Sequence, residues 1–208
     1  MATTFARRER LALCDDALAA GPDAPTLCEG WDVEDLVVHL LVRERRPWAA
    51  AGIFVKRLAP LTERAGAAYA GRPLAELADR LRDPRPLPTA LQPVERAMNT
   101  VEFFVHHEDI RRGRPGWSRR ELAPEDERQL WRALRFLGRM AVRSAGAPVV
   151  VTDGTTSLTL GRGERPVTVT GPVSELTLFL LGRRQVAGLS FDGPQEKVDR
   201  LQQATLGF

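Results

Sequence analysis

The spacing of apolar residues changes once along the chain, near residue 145, and this change limits the folds open to it. Up to that point apolar residues recur at helical intervals, in segments separated by proline and glycine. Beyond it, the segments "VVVTD", "TSLTL" and "VTVTG" are rich in β-branched residues and are typical of strands. We therefore expect an α+β protein, with a helical domain at residues 1–145 and a small α+β domain at 146–208.

The helical domain is expected to form a four-helix antiparallel bundle, the economical arrangement for four principal helices. Asp32, with Asp35 three residues later, is a candidate N-cap for the helix that contains "LVVHLLV" and stops before Pro47. Shorter helical pieces are expected at 48–82, followed by the proline-rich connection "RDPRPLPTALQP". The other principal helices are predicted from Thr3 or Thr4 to Ala20, from Val94 to Arg112 and from Pro124 to Arg143.

The small domain is expected to continue after its three strands with a helix, a strand and a second helix. The segment "PVSELTLFLLGRR" predicts an amphipathic helix, and "GLSFDG" predicts the fourth strand. The segment "PQEKVDRLQQA" predicts a terminal helix.

The charge pattern argues against nucleic acid as the partner. The net charge is +3, but basic and acidic residues are interleaved, as in "RRERLALCDD", rather than gathered in one tract. The arginine-rich segment "RQLWRALRFLGR" could suggest nucleic-acid binding. It is better explained as a bundle helix with arginines outside and a core face of Leu130, Trp131, Leu134, Phe136 and Leu137.

The sequence also lacks the signals of a membrane or secreted protein. No run approaches the roughly 18 apolar residues of a membrane span, and no signal-peptide pattern opens the chain. We expect a soluble cytoplasmic protein, monomeric or homodimeric, without a membrane partner. Cys14 and Cys28 fit neither a redox motif nor a cysteine zinc set, and are expected to be buried or incidental thiols.

Two of the three histidines lie in "NTVEFFVHHEDIRR", beside carboxylates in an otherwise apolar helix. Glu102 and His106 are four residues apart, so their side chains point within about 40° of each other, and Asp109 returns to the same face. A buried carboxylate needs a partner, and a divalent metal is one. His39, with only apolar neighbours for three residues on each side, could be the third ligand of an open tridentate site.

Other interpretations stay open for these histidines and their neighbours. A lone buried histidine such as His39 is more often a satisfied core residue than a ligand, and the Glu102 and His106 spacing also arises by chance. His107 and Glu108 lie off the stripe that carries the candidate ligands. Glu108 is expected to face solvent, whereas His107 or Glu44 could relay protons at a catalytic site.

The segments "GWDVEDLVVHL" and "VEFFVHHEDIRR", followed by "VTVTGPVSELTLFLLGRR", resemble the DinB-like superfamily. The nearest branch is the actinobacterial metal-binding relatives of mycothiol-dependent maleylpyruvate isomerase, and the resemblance covers nearly the whole chain. It implies that His39, Glu102 and His106 bind a divalent metal, most often zinc, with water in the open position. It further implies that Asp109 is a second-shell partner or helix-end cap, and that Arg183 of "LLGRR" binds an anionic substrate.

One departure from that family bears on the cofactor. Thiol-dependent members usually have glycine where this chain has His107, and this chain is somewhat shorter than the isomerase. The difference leaves the metal assignment intact but bears on mycothiol as cofactor and maleylpyruvate as substrate.

The leading hypothesis is a metal-dependent isomerase or transferase that acts on a small molecule with a thiol cofactor. The alternative is a non-catalytic metal-binding or small-ligand-binding protein, in which the C-terminal domain, similar in outline to sterol-carrier-like modules, supplies an apolar pocket. A thiol at the metal would distinguish the two, since only the enzyme should respond to it.

Overall fold

The structure is a computed structural model that describes residues 3–45, 64–83 and 92–207. It contains helices and a four-stranded sheet, so the predicted α+β class is confirmed. The short helices predicted between 48 and 63, and most of the proline-rich connection, lie outside the described residues. Among the residues described, no helix is long and apolar enough to cross a membrane.

The first two helices begin where their capping residues predict. Helix α1 (Phe5–Ala20) is capped by Thr4, whose hydroxyl oxygen accepts a hydrogen bond from the Arg7 amide at 3.3 Å. Helix α2 (Val33–Arg45) follows Asp32, whose Oδ1 accepts from the Asp35 amide at 2.9 Å. The Asp32 amide in turn donates to Asp35 Oδ2 at 3.4 Å, which makes a reciprocal capping box and confirms the predicted start.

Three further helices follow, each close to its predicted position. Helix α3 (Leu74–Arg82) comes after a helical turn at 64–67. Helix α4 (Gln92–Arg112) starts two residues before the predicted Val94 and ends where predicted, and helix α5 (Pro124–Ala141) ends two residues before the predicted Arg143. A proline at the first position of α5 and acids in its first turn favour its start.

The chain divides into two compact units, and the predicted domain boundary at residue 145 stays a prediction. The first unit comprises residues 1–95 and 102–118, and the second comprises 96–101 and 119–208. Helix α5 thus belongs with the C-terminal elements rather than with the preceding helices. The predicted four-helix bundle stays a prediction.

The described helices of the first unit all contribute to an apolar cluster. Leu13 of α1, Leu40 of α2, Leu81 of α3 and Phe103 of α4 are all fully buried there. Helix α3 packs against both α1 and α2. This shared core fixes α2 and α4, the helices that carry the candidate ligands.

The second unit contains a mixed sheet in the order β2-β1-β3-β4. Strand β1 (Val149–Thr152) pairs antiparallel with β2 (Ser157–Leu160) and parallel with β3 (Val167–Thr170), which pairs antiparallel with β4 (Ser190–Asp192). Helices α6 (Val173–Leu180) and α7 (Gln195–Gln203) complete the unit. The order of elements follows the prediction.

Helix α6 is buried on every side, so the predicted amphipathic helix is wrong in this respect. Its polar residues are satisfied internally. Glu175 Oε2 accepts a hydrogen bond from the Ala187 amide at 2.9 Å, and the Thr177 hydroxyl donates to the Val173 carbonyl at 2.7 Å. Local hydrogen bonds therefore permit burial that the sequence pattern did not indicate.

Helix α5 is tied to the sheet by specific contacts. Trp131 Nε1 donates to Asp153 Oδ2 at 2.9 Å, and a Cβ on Gly138 would lie 2.8 Å from Leu160 Cδ2. Phe136, predicted to lie on the core face of this helix, is instead 70% exposed. The other four predicted core residues, Leu130, Trp131, Leu134 and Leu137, are buried, so the predicted core face is correct except at Phe136.

Candidate metal centre

Helices α2 and α4 bring the three predicted metal ligands together in the first unit. His39 lies in the middle of α2, and Glu102 and His106 are one turn apart on α4. One potential ligand atom from each residue can be chosen so that all three lie within 4.8 Å of one another. The sequence spacing therefore corresponds to a real cluster of two imidazoles and a carboxylate.

The separation of Glu102 and His106 is compatible with two ligands of one metal ion. Glu102 Oε2 lies 3.4 Å from His106 Nε2. Bonds of about 2.1 Å in a tetrahedral arrangement separate two donors by about 3.4 Å. The rings of His39 and His106 meet edge to face, with centroids 5.2 Å apart. Two nitrogens and one oxygen form a suitable donor set for zinc and leave a fourth position for another ligand.

The second nitrogen of His106 contacts Asp109, the residue expected either to orient a ligand or to cap the helix end. His106 Nδ1 lies 2.8 Å from Asp109 Oδ2, and the Asp109 side chain is fully buried. An Nδ1–H donated to this carboxylate leaves Nε2, on the side of Glu102, with its lone pair available. Such a carboxylate contact fixes the orientation and tautomer of a ligating histidine.

The charges of the cluster are balanced by protons and by Arg43. Burial by itself raises the pKa of Glu102, but His106 and Arg43 outweigh it and lower that pKa to about 2. Arg43 Nε lies 3.7 Å from Glu102 Oε2. Burial by itself lowers the pKa of His106, but hydrogen bonds to Asp109, Cys28 and Glu102 raise it well above its ordinary value. The carboxylates on both sides of His106 thus favour the protonated imidazole.

Two residues of the loop before α2, Cys28 and Trp31, join the site although sequence reasoning missed both. Cys28 Sγ lies 3.3 Å from Asp109 Oδ2 and 3.9 Å from His106 Nδ1. The Trp31 indole packs against His39, with ring centroids 4.9 Å apart. Cys28 is partly exposed rather than buried, and it contacts residues of the site, whereas Cys14 is buried as expected. The position of Cys28 and Trp31 directly before the α2 N-cap was the only available signal.

His107, the residue after the candidate ligand, lies in a different cluster. Its Nδ1 is 2.8 Å from Glu9 Oε2, and its Nε2 is 2.9 Å from Asp16 Oδ2. Both carboxylates belong to α1. The residue thus connects α4 to α1 and takes no part in the group formed by His39, Glu102 and His106.

The structure corrects the prediction that Glu108 faces solvent. The residue is 1% exposed, and its two carboxylate oxygens accept from Arg111 at 2.8 Å and from Arg112 at 2.6 Å. The arginines neutralise the carboxylate within its own helix, so burial is tolerated. Glu44, the other suggested proton relay, is paired with Arg10 at 2.8 Å.

Arg183, the predicted anion-binding residue, belongs to the second unit. It follows α6, and its Nη1 donates to the Leu181 carbonyl at 2.7 Å.

Comparison with known proteins gives a match in structure but not in sequence. No protein-family model matches the chain, and no curated protein matches it in sequence. A crystal structure of a histidine-to-alanine mutant of mycothiol-dependent maleylpyruvate isomerase aligns with a TM-score of 0.61 at 16% identity, covering 90% of each chain. A second crystal structure of mycothiol-dependent maleylpyruvate isomerase aligns with a TM-score of 0.51 at 18% identity, covering 92% of this chain and 96% of the other. The chain therefore has the fold of mycothiol-dependent maleylpyruvate isomerase, as the resemblance of its helical segments implied.

Proposed function

We propose that the protein is a metal-dependent enzyme that uses a low-molecular-weight thiol to isomerise or transfer a group on a small molecule. The metal is zinc, bound by His39, Glu102 and His106, and the thiol is mycothiol or a close analogue. The enzyme acts in the cytoplasm as a monomer or homodimer, with no nucleic-acid or membrane partner. The fold shared with an isomerase described as mycothiol-dependent supports the choice of thiol.

One observation carries the proposal: the relation between the two nitrogens of His106. Nε2 lies 3.4 Å from Glu102 Oε2, at the separation of two ligands on one zinc ion, while Nδ1 contacts the buried Asp109 at 2.8 Å. His107 also has carboxylates at both nitrogens, but no other candidate ligand groups with it among the described residues. His106 differs because it is fixed from behind by Asp109 while its other nitrogen faces a carboxylate and a second imidazole.

The residues of the chain supply charge, orientation and an apolar surface. With its pKa lowered to about 2, Glu102 carries its negative charge at neutral pH. Asp109 orients His106, and the partly exposed indole of Trp31 lies against His39. A divalent ion held there acts as a Lewis acid that favours the thiolate form of a thiol at its open position.

Two further predicted roles lie outside the metal cluster. Arg183 would bind an anionic group of the substrate, because its position matches the arginine of the family that the chain resembles. The proton-relay role suggested for His107 is not part of the proposal, because its contacts with Glu9 and Asp16 support a structural role. Neither residue is needed for the metal assignment.

Metal content tests the first half of the proposal. Purified wild-type protein should contain close to one equivalent of zinc by elemental analysis, and His39→Ala and Glu102→Ala should lose it. His107→Gln, which alters the adjacent histidine outside the cluster, should retain it. Absence of metal from the wild type, even after reconstitution, would contradict the proposal.

Thiol addition tests the second half. Cobalt-substituted protein should change its visible absorption when mycothiol or a simpler analogue is added, because a thiolate entering the open position alters the ligand field. An unchanged spectrum would favour the non-catalytic binding protein, and a screen of small electrophiles would then be unnecessary.

A further inference from the structure

We propose that Cys28 is a positioning residue of the metal centre, which donates its S–H to Asp109 and thereby holds His106 in its ligating orientation. The inference rests on the proposed metal site and extends it to a residue three steps removed from the ion. The chain of contacts runs from Cys28 to Asp109, from Asp109 to His106, and from His106 to the metal.

The geometry of the contacts defines this role. Cys28 Sγ is 3.3 Å from Asp109 Oδ2, the same oxygen that lies 2.8 Å from His106 Nδ1. Glu102, by contrast, approaches the opposite nitrogen, His106 Nε2, at 3.4 Å. The sulfur therefore lies behind the imidazole, on the side of Asp109. Its role is to fix the carboxylate rather than to bind the same ion as Glu102.

The loop that carries Cys28 is anchored firmly enough to place the thiol. The Leu27 amide donates to the Asp109 carbonyl at 3.1 Å, so the loop contacts the backbone of the residue whose side chain Cys28 reaches. Thr26 Oγ1 accepts from the Cys28 amide at 3.1 Å and donates to the Trp31 carbonyl at 2.9 Å. These bonds hold the backbone on both sides of Cys28.

The chemistry of Asp109 explains why a neutral donor is useful there. Its side chain is completely buried, and a buried carboxylate is stabilised by each hydrogen bond that it accepts. A thiol adds a donor without adding a second positive charge beside a bound cation. Without that donor, the Asp109 carboxylate has one hydrogen bond fewer to fix its position. The orientation of His106, which contacts the same oxygen, then becomes less well defined.

The test compares Cys28→Ala, which removes the donor, with Cys28→Ser, which keeps one. Zinc affinity is measured by competition with a chromophoric chelator. Cys28→Ala should weaken binding about tenfold, the lower end of the range for outer-shell partners. Cys28→Ser, which keeps a donor, should recover most of that loss. Cys28→Val, which fills the space without a donor, should not recover it, and recovery in Cys28→Val would show that the thiol only fills space. Cys14→Ala, the matched removal of the other thiol, should bind zinc like the wild type, since Cys14 contacts the Ala78 carbonyl at 3.6 Å.

A second measurement needs no metal. In ¹⁵N-labelled metal-free protein, the His106 Nδ1–H should exchange with solvent faster in Cys28→Ala than in the wild type or in Cys28→Ser. Equal exchange rates and equal zinc affinities in all three proteins would overturn the inference. A thiolate-to-cobalt charge-transfer band in the wild type, lost in Cys28→Ala, would also overturn it by making Cys28 a direct ligand.

The two proposals fail in distinguishable ways. A wild type that binds no metal would contradict the proposed function, while the exchange measurement would still decide whether Cys28 holds Asp109. A wild type that binds zinc with the same affinity and the same Nδ1–H exchange as Cys28→Ala would leave the metal site intact and reject the role of Cys28.

Discussion

Asp109 contacts His106 through the nitrogen that points away from Glu102, with 2.8 Å between Asp109 Oδ2 and His106 Nδ1. The imidazole therefore bridges a buried carboxylate on one side and the candidate metal position on the other. This arrangement makes Asp109 a determinant of metal affinity although it is not one of the three proposed ligands.

Asp109→Asn should weaken zinc binding by about 10–100-fold, because an amide oxygen accepts the Nδ1–H without the charge that strengthens it. Chelator competition at fixed pH measures the change. Asp79→Asn is the control, since Asp79 is exposed and pairs only with Arg82 among the contacts described. Equal affinities for Asp109→Asn and the wild type would reject the outer-shell role.

Metal binding should release a proton from His106. Burial by itself lowers the pKa of His106 in the metal-free protein, but hydrogen bonds to Asp109 and its neighbours outweigh it and raise that pKa well above its ordinary value, which favours the protonated ring. A ligating histidine must be neutral, so zinc and the proton compete. Below the pKa that His106 has in the folded, metal-free protein, zinc affinity should fall about tenfold for each unit by which the pH is lowered, because zinc must displace one proton.

Calorimetry in two buffers of different ionisation enthalpy measures this release directly. About one proton per zinc should appear at pH 7, and His106→Gln should show neither the release nor tight binding. Heats of binding that do not depend on the buffer would show that His106 is already neutral before zinc arrives.

His107 should affect stability but not metal binding. Its two nitrogens contact Glu9 and Asp16 of α1 at 2.8 and 2.9 Å, and its side chain is almost fully buried. His107→Gln keeps at most part of this bridge, so the free energy of unfolding should fall by about 1–3 kcal/mol. Urea unfolding in the presence of a chelator measures the loss. Loss of zinc from folded His107→Gln would instead place this histidine in the metal centre.

The two cysteines should differ in reactivity. Burial raises the pKa of Cys14 to about 11, so it remains a protonated, inaccessible thiol at pH 8, whereas Cys28 is partly exposed. A disulfide reagent should therefore titrate one thiol in the native protein and two after denaturation. The Cys14 thiol has a pKa near 9 in the unfolded chain and about 11 in the folded protein. Between these pH values only the unfolded chain ionises readily, so the free energy of unfolding should fall as the pH rises. Two reactive thiols in the native state would contradict the burial of Cys14.

The parts of the site that the sequence predicted are those governed by helix geometry. Glu102 and His106 share a face because they are four residues apart, and Asp32 caps α2 because its side chain reaches the Asp35 amide. His39 required one more step, the assumption that α2 and α4 face each other. Local rules of this kind act over one or two turns and are readable without tertiary information.

The parts that were missed depend on contacts between distant segments. Cys28 and Asp109 are 81 residues apart, and nothing in a periodic pattern shows that the loop before α2 returns to α4. The position of Glu108 off the ligand stripe predicts solvent exposure, but its ion pairs with Arg111 and Arg112 let it be buried on another face of the helix. Phe136 was assigned to the core because several faces of α5 carry large apolar residues, and only packing selects among them.

The loop that carries Cys28 and Trp31 depends on Gly113, at the end of α4. A Cβ at this position would lie 2.1 Å from the Pro25 carbonyl oxygen, a backbone atom that cannot rotate away. The φ angle of Gly113 is outside the left-handed region, so a side chain there is opposed by the contact alone. Gly113→Ala should therefore displace the loop and destabilise the protein by about 1–3 kcal/mol.

Zinc affinity should fall together with stability in Gly113→Ala, because displacing the loop moves Cys28 away from Asp109. Gly66→Ala is the matched control: its Cβ would meet Val38 Cγ1 at an ordinary 3.6 Å, so neither stability nor affinity should decrease. Urea unfolding and chelator competition on the same preparations measure both quantities. A destabilised Gly113→Ala that still binds zinc like the wild type would show that the loop supports the fold without positioning the metal centre.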